Sequence, residues 1–315
     1  MVELLNSSII KKSTAMHILR EEILRLKAER DAIIVAHNYQ RDEVQGIADI
    51  VGDSFELARH CAESQAPVIV FCGVHFMAES VKILSPDKTV LLPEIDAGCP
   101  MAEMIDEYQL RAWKKEHPGA AVVCYINSSA AVKAESDICC TSSNAIDVVR
   151  SLEATDVLFV PDCNLGQYVA KQLPEKRIHL WDGYCITHHR VNAADVAAAR
   201  KAHPDALLLV HPECQPEIWK QADFVGSTKQ IIDFAAKSQA TKFLIGTEMG
   251  VFWKLRQDSP GKIFLLLKPD MVCLNMKKTT LVSIRDALIC MRYKIEVSEA
   301  NILGASQALK RMLSI

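Results

Sequence analysis

The segment PEIDAGCPM at residues 93–101 has two counterparts later in the chain, WDGYCITHH at 181–189 and KPDMVCLNM at 268–276. Each of the three follows a short apolar run and carries one cysteine. These cysteines are Cys99, Cys185 and Cys273, and they lie 86 and 88 residues apart. Such regular spacing is typical of an internal repeat, here of about 87 residues.

Two further sets of residues share this period. Polar residues end the first apolar run of each repeat, at His37, Tyr125 and His211. Hydroxyl residues stand where a following helix should open, at Ser54, Ser142 and Thr228. One evenly spaced triple could arise by chance among eleven cysteines, but three kinds of feature with one period favour a triplicated unit.

Short apolar, β-branched runs alternate with longer amphipathic stretches along nearly the whole chain, which is the pattern of an α/β protein. Runs without polar alternation predict parallel strands that are buried on both faces. Nine such runs form three sets of three, at 32–37, 67–73, 88–94, 120–126, 157–162, 177–182, 206–211, 242–247 and 262–267. The pattern at 42–52 predicts one of the intervening helices, and the C-terminus predicts a helix at 279–291, a short strand at 294–298 and a helix at 299–314.

We therefore expect three αβα sandwich units with short parallel sheets, related by a pseudo-threefold axis. The expected units are 18–104, 105–191 and 192–315, the last with C-terminal closing helices, after an N-terminal segment at 1–17. Ligands of open α/β sheets bind beyond the carboxyl ends of strands. The central junction of the three units is thus the expected active site.

Composition excludes several classes of function. Of 315 residues, 50% are hydrophobic and 24% charged, with a net charge of −3, as in an ordinary globular protein. The absence of basic runs argues against nucleic acid as a partner, and no apolar run is long enough to span a membrane. The first residues lack the pattern of a secretory signal, so we expect a cytoplasmic protein in which most of the eleven cysteines are ordinary thiols.

Three converging thiolates suit a soft metal or an iron–sulfur cluster better than magnesium or calcium. A structural zinc site would need a fourth ligand and usually closely spaced cysteine pairs, and the sequence offers neither. A [4Fe–4S] cluster held by three cysteines leaves one iron without a protein ligand, and that iron can act as a Lewis acid.

The same pocket should receive the polar ends of the first strands, which carry acid–base and hydrogen-bonding groups. These groups are His37, Tyr39, Tyr125, Asn127, His211 and Glu213. The hydroxyls of Ser54, Ser142 and Thr228, with the helix N–H groups beside them, could bind phosphate or carboxylate; alternatively they are simple helix caps. His188 could reach a substrate once Cys185 is held by the metal, whereas Lys277 and Lys278 are expected to be solvated or helix-capping.

Motifs including AHNYQRDEVQGIADIVGDS, CYINSSAAVKAESDICCTSSNA, HPEC and GTEMG resemble those of quinolinate synthases in order and spacing, from about residue 16 to the C-terminus. The resemblance implies a triangular protein of three αβα domains around a [4Fe–4S] cluster. It also implies a condensing and dehydrating transferase of de novo NAD biosynthesis. That enzyme joins iminoaspartate and dihydroxyacetone phosphate to give quinolinate, with release of phosphate and two waters. The family's cluster ligands correspond to Cys99, Cys185 and Cys273.

The resemblance also assigns roles to the polar residues. Glu213 and Tyr39 correspond to an acid–base pair, and Tyr125 and Asn127 to residues that orient the condensing carbons. The residues that contact phosphate or carboxylate groups correspond to His211, Ser54, Ser142 and Thr228, and further substrate contacts to His37 and His188. Because iminoaspartate hydrolyses readily, a transient complex with an aspartate-oxidising enzyme is expected. The alternatives are an iron–sulfur hydro-lyase acting on another small dicarboxylate and a cluster-based sensor.

Overall fold

The computed structural model describes the backbone of residues 2–315 and the side chains of residues 15–315. Within this part of the chain, twelve strands form three four-stranded sheets in which all paired strands are parallel. The strands are β1 Ala32–His37, β2 Ile50–Gly52, β3 Val68–Cys72, β4 Thr89–Leu91, β5 Ala121–Tyr125, β6 Ile138–Cys140, β7 Asp156–Val160, β8 Arg177–Leu180, β9 Leu207–Val210, β10 Phe224–Val225, β11 Lys242–Gly246 and β12 Ile263–Leu266.

Helices separate the strands. They are α1 Val2–Glu29, α2 Asp42–Gln45, α3 Ser54–Glu63, α4 His75–Leu84, α5 Glu107–Glu116, α6 Ala130–Ala134, α7 Ala145–Ser151, α8 Cys163–Gln172, α9 Ile186–His189, α10 Ala193–Ala202, α11 Pro216–Trp219, α12 Thr228–Lys237, α13 Val251–Asp258, α14 Leu281–Cys290 and α15 Glu299–Leu313, with a short 3₁₀ helix at Pro100–Glu103. No helix in the described part of the chain combines the length and the apolarity that a membrane span requires.

The three sheets have the same strand order. Their orders are β2-β1-β3-β4, β6-β5-β7-β8 and β10-β9-β11-β12. The central strands are apolar and buried because helices cover both faces of each sheet, as parallel sheets require. The predicted α/β class with three repeated αβα units is therefore confirmed.

The sequence prediction was wrong about three local features. It gave nine strands, whereas the structure adds an edge strand of two or three residues to each sheet, at β2, β6 and β10. Strands this short do not show the alternation of apolar and polar residues that would predict them. The segment 42–52 is not one helix as predicted, because α2 ends at Gln45 and β2 follows. The segment 294–298 is not a strand, since only Lys294 bridges to Leu91.

The C-terminal helices pack on the units that precede them in the chain. Helix α15 lies against α6 and β6, and its residues Ala305, Leu309 and Met312 enter the core shared by the first two sheets. Helix α14 packs against α1. The expected N-terminal segment 1–17 falls in α1, of which the side chains before residue 15, like residue 1 itself, lie outside the described residues.

Candidate functional site

A cavity lies where the carboxyl ends of the three sheets meet. Strands β1 and β5 end at His37 and Tyr125, and His211 follows β9 directly. The residues predicted for the site all line this cavity: His37, Tyr39, Ser54, Cys99, Tyr125, Asn127, Ser142, Cys185, His188, His211, Glu213, Thr228 and Cys273. The fold thus brings together residues from all three repeats, while their individual roles stay predictions.

The three repeat cysteines enter the cavity from equivalent loops, each a few residues beyond the last strand of its sheet. All three are half-buried and form no disulfide. Burial raises the pKa of each thiol, to about 12 for Cys99. Buried carboxylates hold two of these loops in position. The backbone N–H of Cys185 donates to Asp162, and the backbone N–H of Cys273 donates to Glu248, both at 3.1 Å.

Glu213 is the centre of the polar network in the cavity. Its Oε1 accepts the hydroxyl of Tyr125 at 2.7 Å, and its Oε2 lies 2.7 Å from Nδ1 of His188. Burial raises the pKa of Glu213, but His211, His188 and the hydrogen bonds from His188 and Tyr125 lower it more, so that the net shift is downward. The carboxylate is therefore ionised at neutral pH and can accept a proton.

A continuous chain of hydrogen bonds joins Tyr39 to Glu213. The Tyr39 hydroxyl lies 2.7 Å from Oγ1 of Thr247, which lies 2.9 Å from Nε2 of His188. Nδ1 of the same imidazole reaches the Glu213 carboxylate. Burial, and then the charge of Glu213, raises the pKa of Tyr39 well above its ordinary value, so the phenol keeps its proton. The expected acid and base are thus linked through two intermediate side chains.

The cavity histidines at the strand ends are neutral. Nδ1 of His37 accepts the backbone N–H of Tyr39 at 3.1 Å, and Nδ1 of His211 accepts that of Glu213 at 3.2 Å. Burial lowers the pKa of both imidazoles to about 3. Each therefore carries its proton on Nε2, and that of His211 lies 3.1 Å from the Ser142 hydroxyl.

The hydroxyl residues are not helix caps. The N-caps of α3 and α12 are Asp53 and Ser227, each with a full capping box, so that Ser54 and Thr228 are the first residues inside their helices. The Thr228 hydroxyl contacts that of Tyr39 at 2.7 Å instead. These hydroxyls and the helix starts beside them face the cavity, where the helix dipole favours an anion.

The chain matches a known family over nearly its whole length. The sequence model described as Quinolinate synthetase A protein matches residues 21–314. The chain belongs to the quinolinate synthase family.

Relatives named quinolinate synthase cover almost all of the chain. The one from Caldicellulosiruptor saccharolyticus is 58% identical over 297 residues, which are 94% of this chain and 98% of the relative. The one from Alkaliphilus metalliredigens is 58% identical over 295 residues, 94% of this chain and 97% of the relative. The one from Methanoregula boonei is 54% identical over 298 residues, 95% of this chain and 98% of the relative.

The donor set fits the iron–sulfur centre that membership of the quinolinate synthase family implies. One zinc ion bound by three thiolates would hold their sulfurs about 3.8 Å apart, given Zn–S bonds of about 2.3 Å. Among the described side chains, the one trio of possible ligands whose atoms all lie within 4.8 Å of one another is Cys185, His188 and Glu213. At least one pair of the sulfurs of Cys99, Cys185 and Cys273 is therefore more than 4.8 Å apart, which is too wide for a single zinc ion and is compatible with a centre of several metal atoms.

Sequence reasoning missed three residues that support this quinolinate synthase-family site. Thr247 and Glu248 belong to the GTEMG motif at 246–250, which resembles a motif of the family but does not predict the contacts of these two side chains. Lys277 was expected to be solvated or helix-capping, and this was wrong: its side chain is only 15% exposed, lies 3.0 Å from Glu248 and donates to the carbonyl of Tyr39. Lys278 is the half-exposed lysine of the pair, 2.8 Å from Asp96.

Proposed function

We propose that the chain condenses iminoaspartate with dihydroxyacetone phosphate to give quinolinate, releasing phosphate and two waters, in de novo NAD biosynthesis. Membership of the quinolinate synthase family supports quinolinate synthase activity. The observation that carries the finer proposal is the hydrogen-bonded chain from Tyr39 to Glu213, in a cavity that three cysteines also line. A base, an acid and a soft-metal donor set around one buried space suit a condensation that loses water.

The cofactor in this proposal is a [4Fe–4S] cluster on Cys99, Cys185 and Cys273. When bound, it supplies an iron without a protein ligand, which can act as a Lewis acid on a substrate carboxylate, hydroxyl or imine nitrogen. Burial raises the pKa of these thiols, so each must release its proton to bind a metal, and the charge of the metal would then compensate the thiolate.

The polar residues of the cavity move protons and hold the substrates. Glu213 accepts a proton from a substrate carbon or nitrogen, and His188 and Thr247 relay protons between Glu213 and the Tyr39 phenol, which donates to a departing hydroxyl. A departing water needs such a donor because hydroxide is a poor leaving group. When Glu213 passes its proton through His188 and Thr247 to Tyr39, its carboxylate is ionised again. It can then accept the proton of the next elimination of water.

The anionic groups of the substrates would bind to the hydroxyl residues that line the cavity. Ser54, Ser142 and Thr228 would hold phosphate or carboxylate together with His211. Asn127 has a buried side-chain oxygen without a hydrogen-bond partner among the described residues, which leaves it free to accept from a substrate. Tyr125 and Asn127 would thus orient the condensing carbons, and His37 would form the wall of the pocket beside Tyr39.

We further propose that the chain has three units, at 18–104, 105–191 and 192–315, and that the protein is located in the cytoplasm.

The test is an anaerobic preparation of the full chain, supplied with iminoaspartate and dihydroxyacetone phosphate. We expect about four irons per chain and formation of quinolinate. Glu213→Gln should lower kcat by about 10²–10⁴-fold, the usual contribution of a general base, whereas the exposed Glu217→Gln should retain activity. A chain with its full iron content that forms no quinolinate would contradict the proposed reaction and favour a hydro-lyase or a sensor.

The ligand assignment is tested separately from the reaction. Substitution of Cys99, Cys185 or Cys273 by alanine should abolish the visible absorbance of the cluster. Cys214→Ala is the matched control, because Cys214 is buried beside the site but donates only to the carbonyl of Gly246, at 3.6 Å. Loss of iron from the Cys214 variant, with iron retained in the Cys185 variant, would refute the assignment.

A further inference from the structure

We propose that the iron-free chain has a mononuclear metal site, formed by Cys185, His188 and Glu213, that takes a divalent cation of borderline softness such as Zn²⁺. One ligand atom from each residue lies within 4.8 Å of the other two. Nδ1 of His188 is the middle atom, 3.2 Å from Sγ of Cys185 and 2.7 Å from Oε2 of Glu213. A sulfur, a nitrogen and an oxygen around one point match Zn²⁺, Co²⁺ or Fe²⁺ rather than Mg²⁺ or Ca²⁺.

The trio needs little movement to bind such an ion. Tetrahedral zinc with its usual bond lengths of about 2.0–2.3 Å separates a sulfur from a nitrogen by about 3.5 Å, and a nitrogen from an oxygen by about 3.4 Å. The present separations are 3.2 Å and 2.7 Å. Small side-chain rotations therefore suffice, and the fourth position of the ion would face the cavity that the trio lines.

The charges around Glu213 favour a cation. This carboxylate is buried, and the basic groups within 4.0 Å of it in the described part of the chain are the imidazoles of His188 and His211, with no lysine or arginine among them. On binding, Cys185 would release its thiol proton to solvent. The proton of His188 would shift from Nδ1 to Nε2, where the Thr247 hydroxyl can accept a hydrogen bond from it, and the lone pair on Nδ1 would bind the ion. A divalent ion would then be held by two anionic ligands and one neutral ligand, which balances the buried charge.

The groups around the trio already hold the ligands in position. Nε2 of His188 lies 2.9 Å from the Thr247 hydroxyl, so that Nδ1 faces the other two ligands. The Tyr125 hydroxyl occupies the second oxygen of Glu213 at 2.7 Å, and Asp162 accepts the backbone N–H of Cys185 at 3.1 Å. Metal-binding histidines and carboxylates in proteins are commonly oriented by outer partners of this kind.

This site differs from the proposed cluster site in its ligands, although the two share Cys185. Cys99 and Cys273 would be ligands of the cluster only, and His188 and Glu213 would be metal ligands only in the site for the single ion. A chain that has bound Zn²⁺ would therefore be unable to assemble the cluster until the ion leaves. The inference rests on the geometry of the three side chains; only the competition depends on the proposed cluster.

The experiment titrates the iron-free full chain with Zn²⁺ and, as a spectroscopic probe, with Co²⁺. We expect about one ion per chain, with a thiolate-to-cobalt charge-transfer band and the visible bands of a tetrahedral site. Cys185→Ser, His188→Gln and Glu213→Gln should each weaken binding by more than about 100-fold, since loss of an outer partner alone costs about 10–100-fold. Cys99→Ser and Cys273→Ser are the matched controls and should bind as tightly as the unsubstituted chain.

Thr247→Val keeps all three ligands and tests the site even where a ligand variant fails to fold. It should weaken Zn²⁺ binding by about 10–100-fold, with circular dichroism and thermal unfolding confirming a folded chain. Chain loaded with one Zn²⁺ should take up little iron on reconstitution, and cluster-loaded chain should bind no Zn²⁺ at this site. Absence of binding at micromolar Zn²⁺, or equal loss of binding in the Cys99 and Cys273 variants, would overturn the proposal. These results do not depend on whether quinolinate is formed.

Discussion

Removing the ammonium group of Lys277 should destabilise the fold because it leaves a buried carboxylate without its cation. The Glu248 side chain is fully buried, and its two oxygens lie 3.0 and 3.1 Å from Nζ of Lys277. The same carboxylate accepts the backbone N–H groups of Cys273 and Gly250 at 3.1 and 2.7 Å. In Lys277→Met the methionine fills a similar volume, but the carboxylate keeps only these two amide donors.

The expected cost follows from this geometry. Breaking a buried ion pair from one side typically costs about 3–5 kcal/mol, because the remaining charge is desolvated and uncompensated. The two amide donors retained by Glu248 offset part of that, so we expect about 3 kcal/mol for Lys277→Met. In the double variant with Glu248→Gln no net charge is buried, and about 1–2 kcal/mol should return.

The assay is urea unfolding of the iron-free full chain, with the Lys278→Met variant as the matched control. Lys278 is the next residue and also pairs with a carboxylate, but its partner Asp96 is 70% exposed, so its loss should leave stability unchanged within error. A Lys277→Met variant as stable as the Lys278→Met variant would refute the reasoning. So would a double variant less stable than Lys277→Met alone.

Three further predictions concern residues that line the cavity or contact its lining. The Ser143 hydroxyl donates to the buried carboxylate of Asp53 at 2.7 Å, so Ser143→Ala should cost about 1–3 kcal/mol in urea unfolding, and a loss below about 0.5 kcal/mol would contradict this. A Cβ at Gly250 would lie 2.6 Å from the backbone carbon of Tyr39, so Gly250→Ala should lower both the melting temperature and kcat by displacing Tyr39; an unchanged melting temperature would disprove the clash. His37 has its pKa lowered by burial to about 3, against about 6.5 when unfolded, so between these pH values the unfolded chain binds a proton that the folded chain does not. The free energy of unfolding should therefore fall as pH decreases through this range, by up to about 1.4 kcal/mol per pH unit. In His37→Gln the dependence of this free energy on pH should be weaker by the contribution of one proton. An equal pH dependence in the variant would show that His37 is not neutral when folded.

Two properties of the chain could be predicted from its sequence because they depend on local pattern. Apolar runs of six or seven residues show which segments are buried strands, and a period of about 87 residues shows that the set recurs three times. The carboxyl ends of parallel strands lie at one edge of each sheet, and a pseudo-threefold arrangement of the three units brings these edges to one junction. This is why Cys99, Cys185 and Cys273 could be placed at one cavity before any contact was known.

Other features were decided only by the tertiary structure, because they depend on contacts between residues distant in the chain. Ser227 and Thr228 are adjacent residues that both carry a hydroxyl group. Ser227 caps α12 and Thr228 faces the cavity because the helix begins at Thr228, which the sequence alone does not determine. Thr247 became part of the polar chain because the packing of the third sheet against the second sets it beside His188. Lys277 reads as a surface lysine, yet the loop after Cys273 turns it inward to Glu248, where the low dielectric makes the pair strong and costly to break. The periodicity of apolar residues predicts which residues are buried. The partner of a buried charge depends instead on which helices, strands and loops pack together in the tertiary structure.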